Sequence, residues 1–231
     1  MANFPSIALS LQPRVAHQVQ KMARKKVLVL HSGGMDSTTC LLQAKAEGHD
    51  VASLGIDYGQ RLLVEMMFAE GQCEKYSIPR HVINVNWQKA ERQIPLNRSV
   101  EEMAHSVSPA FLPGRNIVFL GLGHAHAAGI GADELQIGLN CVDFSGYPDC
   151  TTQFYDSYCT MLNIGNPGGP KLVAPLLKMS KPEIARLAST LGLQRNDTWS
   201  CYRPQIREGS IVACGECDAC KLHEFAWQEL K

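Results

Sequence analysis

Residues 25–48, KKVLVLHSGGMDSTTCLLQAKAEG, limit the possible folds more than any other stretch of this chain. The apolar run VLVL stops at a Ser-Gly-Gly turn, and a segment with helical periodicity follows and ends at Gly48. A short apolar run that ends in a glycine turn reads as a strand covered on both faces, which requires a parallel sheet with helices packed on it. Ser37 lies near the start of the helix that follows the turn.

The same alternation continues along the chain. Strands are expected at 50–59 (DVASLGIDYG), 80–86 (RHVINVN), 133–140 (DELQIGLN) and 171–177 (KLVAPLL). Helices are expected at 61–78, 116–132, 152–164 and 180–192, and the second of these is apolar almost all round and is therefore expected to be buried. Strands alternating with helices predict an α/β fold with a doubly wound, parallel, five-stranded sheet. Residues 87–114, with Pro95, Pro109 and Pro113, read as an irregular connection, and a connection that long inside a compact domain is usually functional or mobile. The expected organisation is an N-terminal arm (1–25), an α/β domain (26–195), and a cysteine-bearing segment with a C-terminal helix (196–231).

Composition removes several function classes. Lys+Arg and Asp+Glu are both 22, so the basic excess that marks a nucleic-acid binder is missing, and no stable nucleic-acid partner is expected. No apolar run is long enough to span a bilayer, so no membrane partner is expected. The nine cysteines are odd in number and four crowd into residues 201–220, which suits a reducing, cytoplasmic compartment with one metal site better than a disulfide framework. Residues 1–26 hold five Lys/Arg and no acid, and they read as a loose arm with a short helix near Arg14–Arg24, a basic transit peptide being the alternative.

In SGGMDST, Gly33 and Gly34 let backbone N–H groups approach an anion closely, Ser32, Ser37 and Thr38 add hydroxyl donors, and the following helix adds its positive end. Asp36 is unsuited to direct phosphate contact but suited to Mg²⁺ bridging phosphate oxygens. No Gly-Lys-Ser/Thr follows, so the loop lacks the lysine that serves γ-phosphoryl transfer. A lysine-free, hydroxyl-rich cradle suits pyrophosphate as a leaving group, hence attack at the α-phosphate and adenylylation. An ordinary tight turn between strand and helix would not call for two glycines, an aspartate and three hydroxyls together.

Cys201, Cys214, Cys217 and Cys220 are spaced C-x12-C-x2-C-x2-C. Thiolates two residues apart in a tight turn can reach one tetrahedral ion at about 2.3 Å each. Zinc is expected, and with four protein ligands it would be structural; His223 is the alternative fourth ligand. The spacing is not a ferredoxin run, which disfavours an iron–sulfur cluster. His124 and His126, two apart on a helix, make a poor metal pair, and Cys40 reads as core.

SGGMDS, DYGQR, PGRNIVFL, SGYPDC and TWSC occur in this order over roughly residues 26–226. Together they resemble the 7-cyano-7-deazaguanine synthase (QueC) family, within the N-type ATP pyrophosphatases, the PP-loop superfamily. The resemblance implies an adenine-nucleotide α-hydrolase-like sheet and an ATP-dependent carbon–nitrogen ligase. ATP, 7-carboxy-7-deazaguanine and ammonia would be its substrates, Mg²⁺ would accompany ATP, and the assembly is expected to be a homodimer. The acid would be adenylylated, ammonia would give the amide, and a second ATP would activate the amide on the way to the nitrile. The expected nucleotide set is His31, Ser32, Gly33, Gly34, Met35, Asp36, Ser37, Thr38, Arg115 and Lys181, with Asp36 and Arg115 catalytic. The expected substrate set is Asp57, Tyr58, Gln60, Arg61, Asn116, Asp143, Ser145, Gly146, Tyr147 and Asp149. Within it Tyr147 would stack a purine-like base, and Asp143 or Asp149 would accept from its amidine edge. The chain departs from the family in having Thr151 where Arg usually follows GYPDC, Leu62 where His often follows DYGQR, and about two dozen residues ahead of the first strand. The first two departures lie near the expected substrate end and keep open a second reading, in which a protein amine or another amine accepts the activated acid and the product stays an amide.

Overall fold

The computed structural model describes residues 23–59, 64–86, 93–140 and 146–230. The expected arm, apart from its last residues, and Gln60, Arg61, Leu62, Asp143 and Ser145 lie outside the described residues. A five-stranded sheet of β1 (Lys26–Leu30), β2 (Asp50–Asp57), β3 (Arg80–Asn84), β4 (Glu134–Ile137) and β5 (Lys171–Val173) is ordered β3-β2-β1-β4-β5. Every pairing is parallel, as expected, with Val27 opposite Val51 on one side and Glu134 on the other.

Both faces of the sheet are covered. Val27 and Val29 of β1 join a core with Leu41 of α1 (Met35–Ala46), Cys73 of α2 (Val64–Tyr76), Ile184 of α6 (Lys181–Thr190) and Trp227 of α7 (Asp218–Trp227). Leu28, between those two valines, faces the other way with Leu54, toward Leu120 of α4 (Arg115–Gly129) and Tyr158 of α5 (Thr152–Gly165). A period-2 strand with large aliphatics on both sides can be satisfied only this way. The chain order reverses between β1 and β4, which opens a crevice beyond the carboxyl ends of those strands.

Several expectations need correction. The helix at 116–132 is not buried all round: α4 starts at Arg115 and packs one face on the sheet through Leu120, Gly123, His124 and Ala127, while Ile117 and Val118 are exposed. One sheet covers one side of a helix, whatever the other side carries. The connection 87–114 is not wholly irregular, because α3 (Val100–Ala104) lies within it. Ser99 caps α3 and Glu102 returns the bond to the Ser99 N–H, a capping box legible as Ser-Val-Glu-Glu. β5 stops at Val173, two residues before Pro175, which has no N–H for a ladder. In the cysteine segment, β6 (Gln205–Arg207) and β7 (Ser210–Val212) form an unexpected hairpin, turned by Glu208 and Gly209, both with positive φ.

Two glycines bring the backbone segments together at the crevice. Gly33 has φ +90°, and a Cβ there would lie 2.4 Å from the Glu65 carbonyl oxygen and 2.8 Å from the Ala69 nitrogen. Gly138, just past β4, would place a Cβ 2.7 Å from the Ser37 nitrogen at the start of α1. Gly33→Ala should therefore combine backbone strain with a clash against helix backbone that cannot yield, and cost about 2–4 kcal/mol of stability. Urea unfolding checks this; a midpoint shift worth under ~0.5 kcal/mol would mean that the loop can rearrange freely.

Candidate active site and metal centre

The crevice holds a cavity of about 400 Å³. One end is the turn between β1 and α1. No side chain caps α1 at Gly34, so its first amides remain for an anion. The hydroxyls brace the loop: Ser37 Oγ accepts from the Ser32 N–H at 3.2 Å, and Thr38 Oγ1 donates to the Gly34 carbonyl at 2.8 Å. Asp36 and Lys181 face the cavity as a pair, Nζ to Oδ2 at 2.5 Å. Lys181 is placed by the start of α6, where Ser180 and Glu183 form a capping box and Pro182 sits in the first turn.

The other end is built on Arg115, which follows Gly114 in a left-handed conformation (φ +78°) at the start of α4. Burial works against the charge of Arg115, but Tyr58, Tyr202 and Asp149 around it outweigh that and hold its pKa above the usual value. Asp149 is itself buried, and burial raises its pKa against the opposing pull of Arg115 and the Asn116 N–H. The Asn116 amide donates to the Asp149 carbonyl at 3.2 Å. Tyr147 rests against Phe111 (centroids 5.2 Å apart) and also lines the cavity, and Tyr58 meets Phe119 edge to face at 5.2 Å.

Of the expected site residues, His31, Ser32, Gly34, Met35, Asp36, Ser37, Tyr58, Arg115, Asn116, Tyr147, Asp149 and Lys181 line this one cavity. Gly33, Thr38, Asp57 and Gly146 do not: Gly33 and Thr38 support the loop from behind, and Asp57 accepts from the Gly59 N–H at 2.9 Å, closing its own turn. The His31 ring is buried, with Nδ1 3.0 Å from Ser53 Oγ and Nε2 2.9 Å from Gln72 Oε1. Thr151, the residue that stands in for the family's arginine, caps α5 by accepting from the Phe154 N–H and does not line the cavity.

Sequence reasoning missed one wall. Trp199, Ser200, Tyr202, Ala219, Leu222 and His223 all line the cavity, and all come from the cysteine segment. The only signal in the sequence is TWSC, whose Trp199 and Ser200 stand just before the first cysteine. Glu65 and Met66 of α2 complete the lining near the loop. His223 is held by Arg195 O at 3.1 Å and Ser200 Oγ at 3.4 Å; burial lowers its pKa. With both ring nitrogens so occupied it is not the fourth metal ligand.

The four cysteines do converge. Their sulfurs all lie within 4.8 Å of one another, with Cys201–Cys214 at 3.5 Å and Cys214–Cys220 at 3.9 Å. A tetrahedral ion with 2.3 Å bonds to sulfur requires sulfurs about 3.8 Å apart, so the set fits a metal. Backbone N–H groups of Arg203 and Cys214 point at the Cys201 sulfur at 3.3 and 3.2 Å, the support a thiolate needs.

The family model described as queuosine biosynthesis protein QueC matches residues 26–231. The chain belongs to the QueC family. Among curated relatives, the 7-cyano-7-deazaguanine synthase of Nostoc punctiforme is 36% identical over 219 residues, covering 89% of this chain and 96% of its own. That of Leptospira interrogans (strain Fiocruz L1-130) is 37% identical over 222 residues, covering 90% and 88%. That of Thermoplasma acidophilum is 34% identical over 219 residues, covering 90% of each chain. Family membership makes the chain an ATP-using PP-loop enzyme of queuosine biosynthesis. No helix among the described residues is long and apolar enough to cross a membrane.

The His31 ring makes a prediction that needs no substrate. Burial first, and then the charge of Arg80, push its pKa from 6.5 to about 3. Between those values the unfolded chain binds a proton that the folded chain refuses. The stabilising contribution is therefore complete above pH 6.5 and is lost as pH falls toward 3, by about 1.4 kcal/mol per pH unit. Urea titrations of the wild type and His31→Asn should diverge in slope over that window and run parallel above it. Parallel curves throughout would mean the ring is not held neutral.

Proposed function

We propose that this chain activates 7-carboxy-7-deazaguanine with ATP and converts it with ammonia, through the amide, to 7-cyano-7-deazaguanine. The observation that carries the reading is one cavity with an uncapped helix start, Asp36 and Lys181 at one end and Arg115, Asp149 and Tyr147 at the other. The names of the relatives supply the product, 7-cyano-7-deazaguanine. A carboxylate does not react with ammonia until one oxygen becomes a leaving group, so the activated end and the nucleotide end must share a cavity.

In this reading the first amides of α1 and the side chain of Lys181 hold the β- and γ-phosphates. The deazaguanine base stacks on Tyr147, and Asp149 accepts from its amidine edge. Arg115 draws the substrate carboxylate to the α-phosphate and stabilises charge that grows there. A carboxylate oxygen attacks the α-phosphorus and pyrophosphate leaves. Ammonia then attacks the acyl carbon and AMP leaves, giving the amide. In the second round the amide oxygen attacks another α-phosphorus, pyrophosphate leaves again, and AMP departs with that oxygen as the nitrogen gives up two protons. Asp36, one carboxylate beside phosphate, suits Mg²⁺ arriving with ATP, which would neutralise the phosphates for attack. Zinc on Cys201, Cys214, Cys217 and Cys220 would supply folding energy, not chemistry. The reaction belongs in the cytoplasm, where the nucleotide and reduced thiols are available.

A second reading, in which another amine accepts the activated acid and the product stays an amide, draws less support from Thr151 than its place in the motif suggests, because the Thr151 hydroxyl caps α5 and the residue does not line the cavity.

With ATP, the carboxy-deazaguanine and ammonium, mass spectrometry should find the nitrile, with two AMP and two pyrophosphate per product. ADP as the main product would reject the loop's role; an amide that persists at high ammonium would reject the ligase sequence. Asp36→Asn should cut turnover by roughly a hundredfold or more with the fold intact. Metal analysis should give one zinc per chain, and Cys217→Ser should lower zinc content and soluble yield together.

A further inference from the structure

Gln72, on α2, sits almost fully buried beneath the phosphate loop, and no motif singles it out. Its Nε2 donates to the Gly33 carbonyl at 3.2 Å and to the Asp197 carbonyl at 2.6 Å. Its Oε1 faces His31 Nε2 at 2.9 Å. The direction of this chain of bonds is set at both ends. Arg80 can only donate, and gives to Ser53 Oγ at 2.7 Å. Ser53 then gives its proton to His31 Nδ1, which leaves Nε2–H to donate to Gln72 Oε1. The amide nitrogen of Gln72 must in turn face the two carbonyls, which can only accept.

The Gly33 carbonyl also accepts from the Trp199 N–H at 3.1 Å. Trp199 is buried against Cys201, Cys214 and Cys217, and its indole donates to the Cys201 carbonyl at 3.0 Å. Two donors thus pull the Gly33 C=O away from the cavity, one from α2 and one from the residue two before the first metal ligand. A trans peptide carries its C=O and N–H on opposite sides. Pulling the carbonyl back therefore aims the Gly34 N–H forward, to the cavity side, where it donates a long bond of 3.4 Å to the Ser32 hydroxyl that lines the cavity and leaves room for an anion to compete for it. A flipped peptide would present an oxygen to the phosphates instead.

We propose that Gln72 is a positioning residue for nucleotide binding: it holds the Gly33–Gly34 peptide donor-outward and joins the metal-binding segment to the phosphate loop through Asp197 and Trp199. This rests on the reading that the loop holds ATP phosphates. Gln72→Met keeps the shape and loses both donors. Gln72→Asn keeps an amide on a shorter stem and serves if the first variant folds poorly.

The measurements are calorimetric affinities for ATP and for the carboxy-deazaguanine, zinc content and melting temperature. The expected result for Gln72→Met is roughly tenfold weaker ATP binding, with acid affinity and one zinc per chain retained; Gln72→Asn should fall between it and the wild type. Variants that bind ATP as tightly as the wild type overturn the inference and leave the functional reading standing. Parallel loss of ATP and acid affinity with falling melting temperature also overturns it, because that is a purely structural role. A wild-type chain that binds the acid but no ATP removes the functional reading and this inference with it.

Discussion

The carbonyl of Gly33 is where the active site and the metal-binding segment meet, and much else follows from how it is held. Gly33 lies hard against α2, too close for any side chain, and turns its oxygen toward Trp199 and Gln72. A parallel sheet brings several chain segments to one edge, and only residues without a Cβ allow such approach. Gly138 does the same on the other side, letting the end of β4 touch the first turn of α1.

Beneath the loop the protein buries polar groups where an aliphatic core would be simpler. His31, Ser53, Thr38 and Gln72 are all nearly inaccessible, and each finds a partner. Leaving any one of them unpaired would cost about 1–3 kcal/mol, so the network tolerates few alternative arrangements. Aliphatic side chains would pack as densely but would not choose one orientation for a peptide plane. The low pKa of His31 belongs to the same logic: a proton on both ring nitrogens would remove the acceptor that Ser53 uses and reverse that one bond, while Nε2–H went on donating to Gln72.

The sheet, its parallel sense and the phosphate turn were legible because each is written locally: apolar runs of strand length, glycines at the turn, helical periodicity after it. The four-cysteine cluster was legible in part for the same reason, since Cys214, Cys217 and Cys220 are spaced for one tight turn, although Cys201 reaches them only across the β6–β7 hairpin. What periodicity could not supply was which side of a helix meets which layer, so α4 reads as buried while Ile117 and Val118 face out. The use of the Thr151 hydroxyl to start α5 could not be read from its place in the motif, because the bond depends on where the helix begins. Gln72 carried no signal at all, since its partners at Gly33 and Asp197 lie 39 and 125 residues away. Tyr202 and His223 stood in view inside the cysteine segment, but nothing local says that a metal-binding segment folds back over the carboxyl end of a sheet.

That fold-back changes what the metal centre means. A cluster of four sulfurs on a short hairpin and one helix could stabilise a domain lying anywhere on the surface. Here α7, which carries Cys220, also places Leu222 and His223 against the cavity and Trp227 in the core under α1 and α6. A metal held by the four cysteines would fold the segment and in doing so build a wall of the cavity. Asp36 and Lys181 face that wall already paired with each other. Two opposite charges in a half-buried site cost less together than apart, so the pair keeps both from drifting to other partners. In the proposed reading, an incoming nucleotide would offer each a better one: phosphate to the lysine, and the Mg²⁺ arriving with ATP to the aspartate.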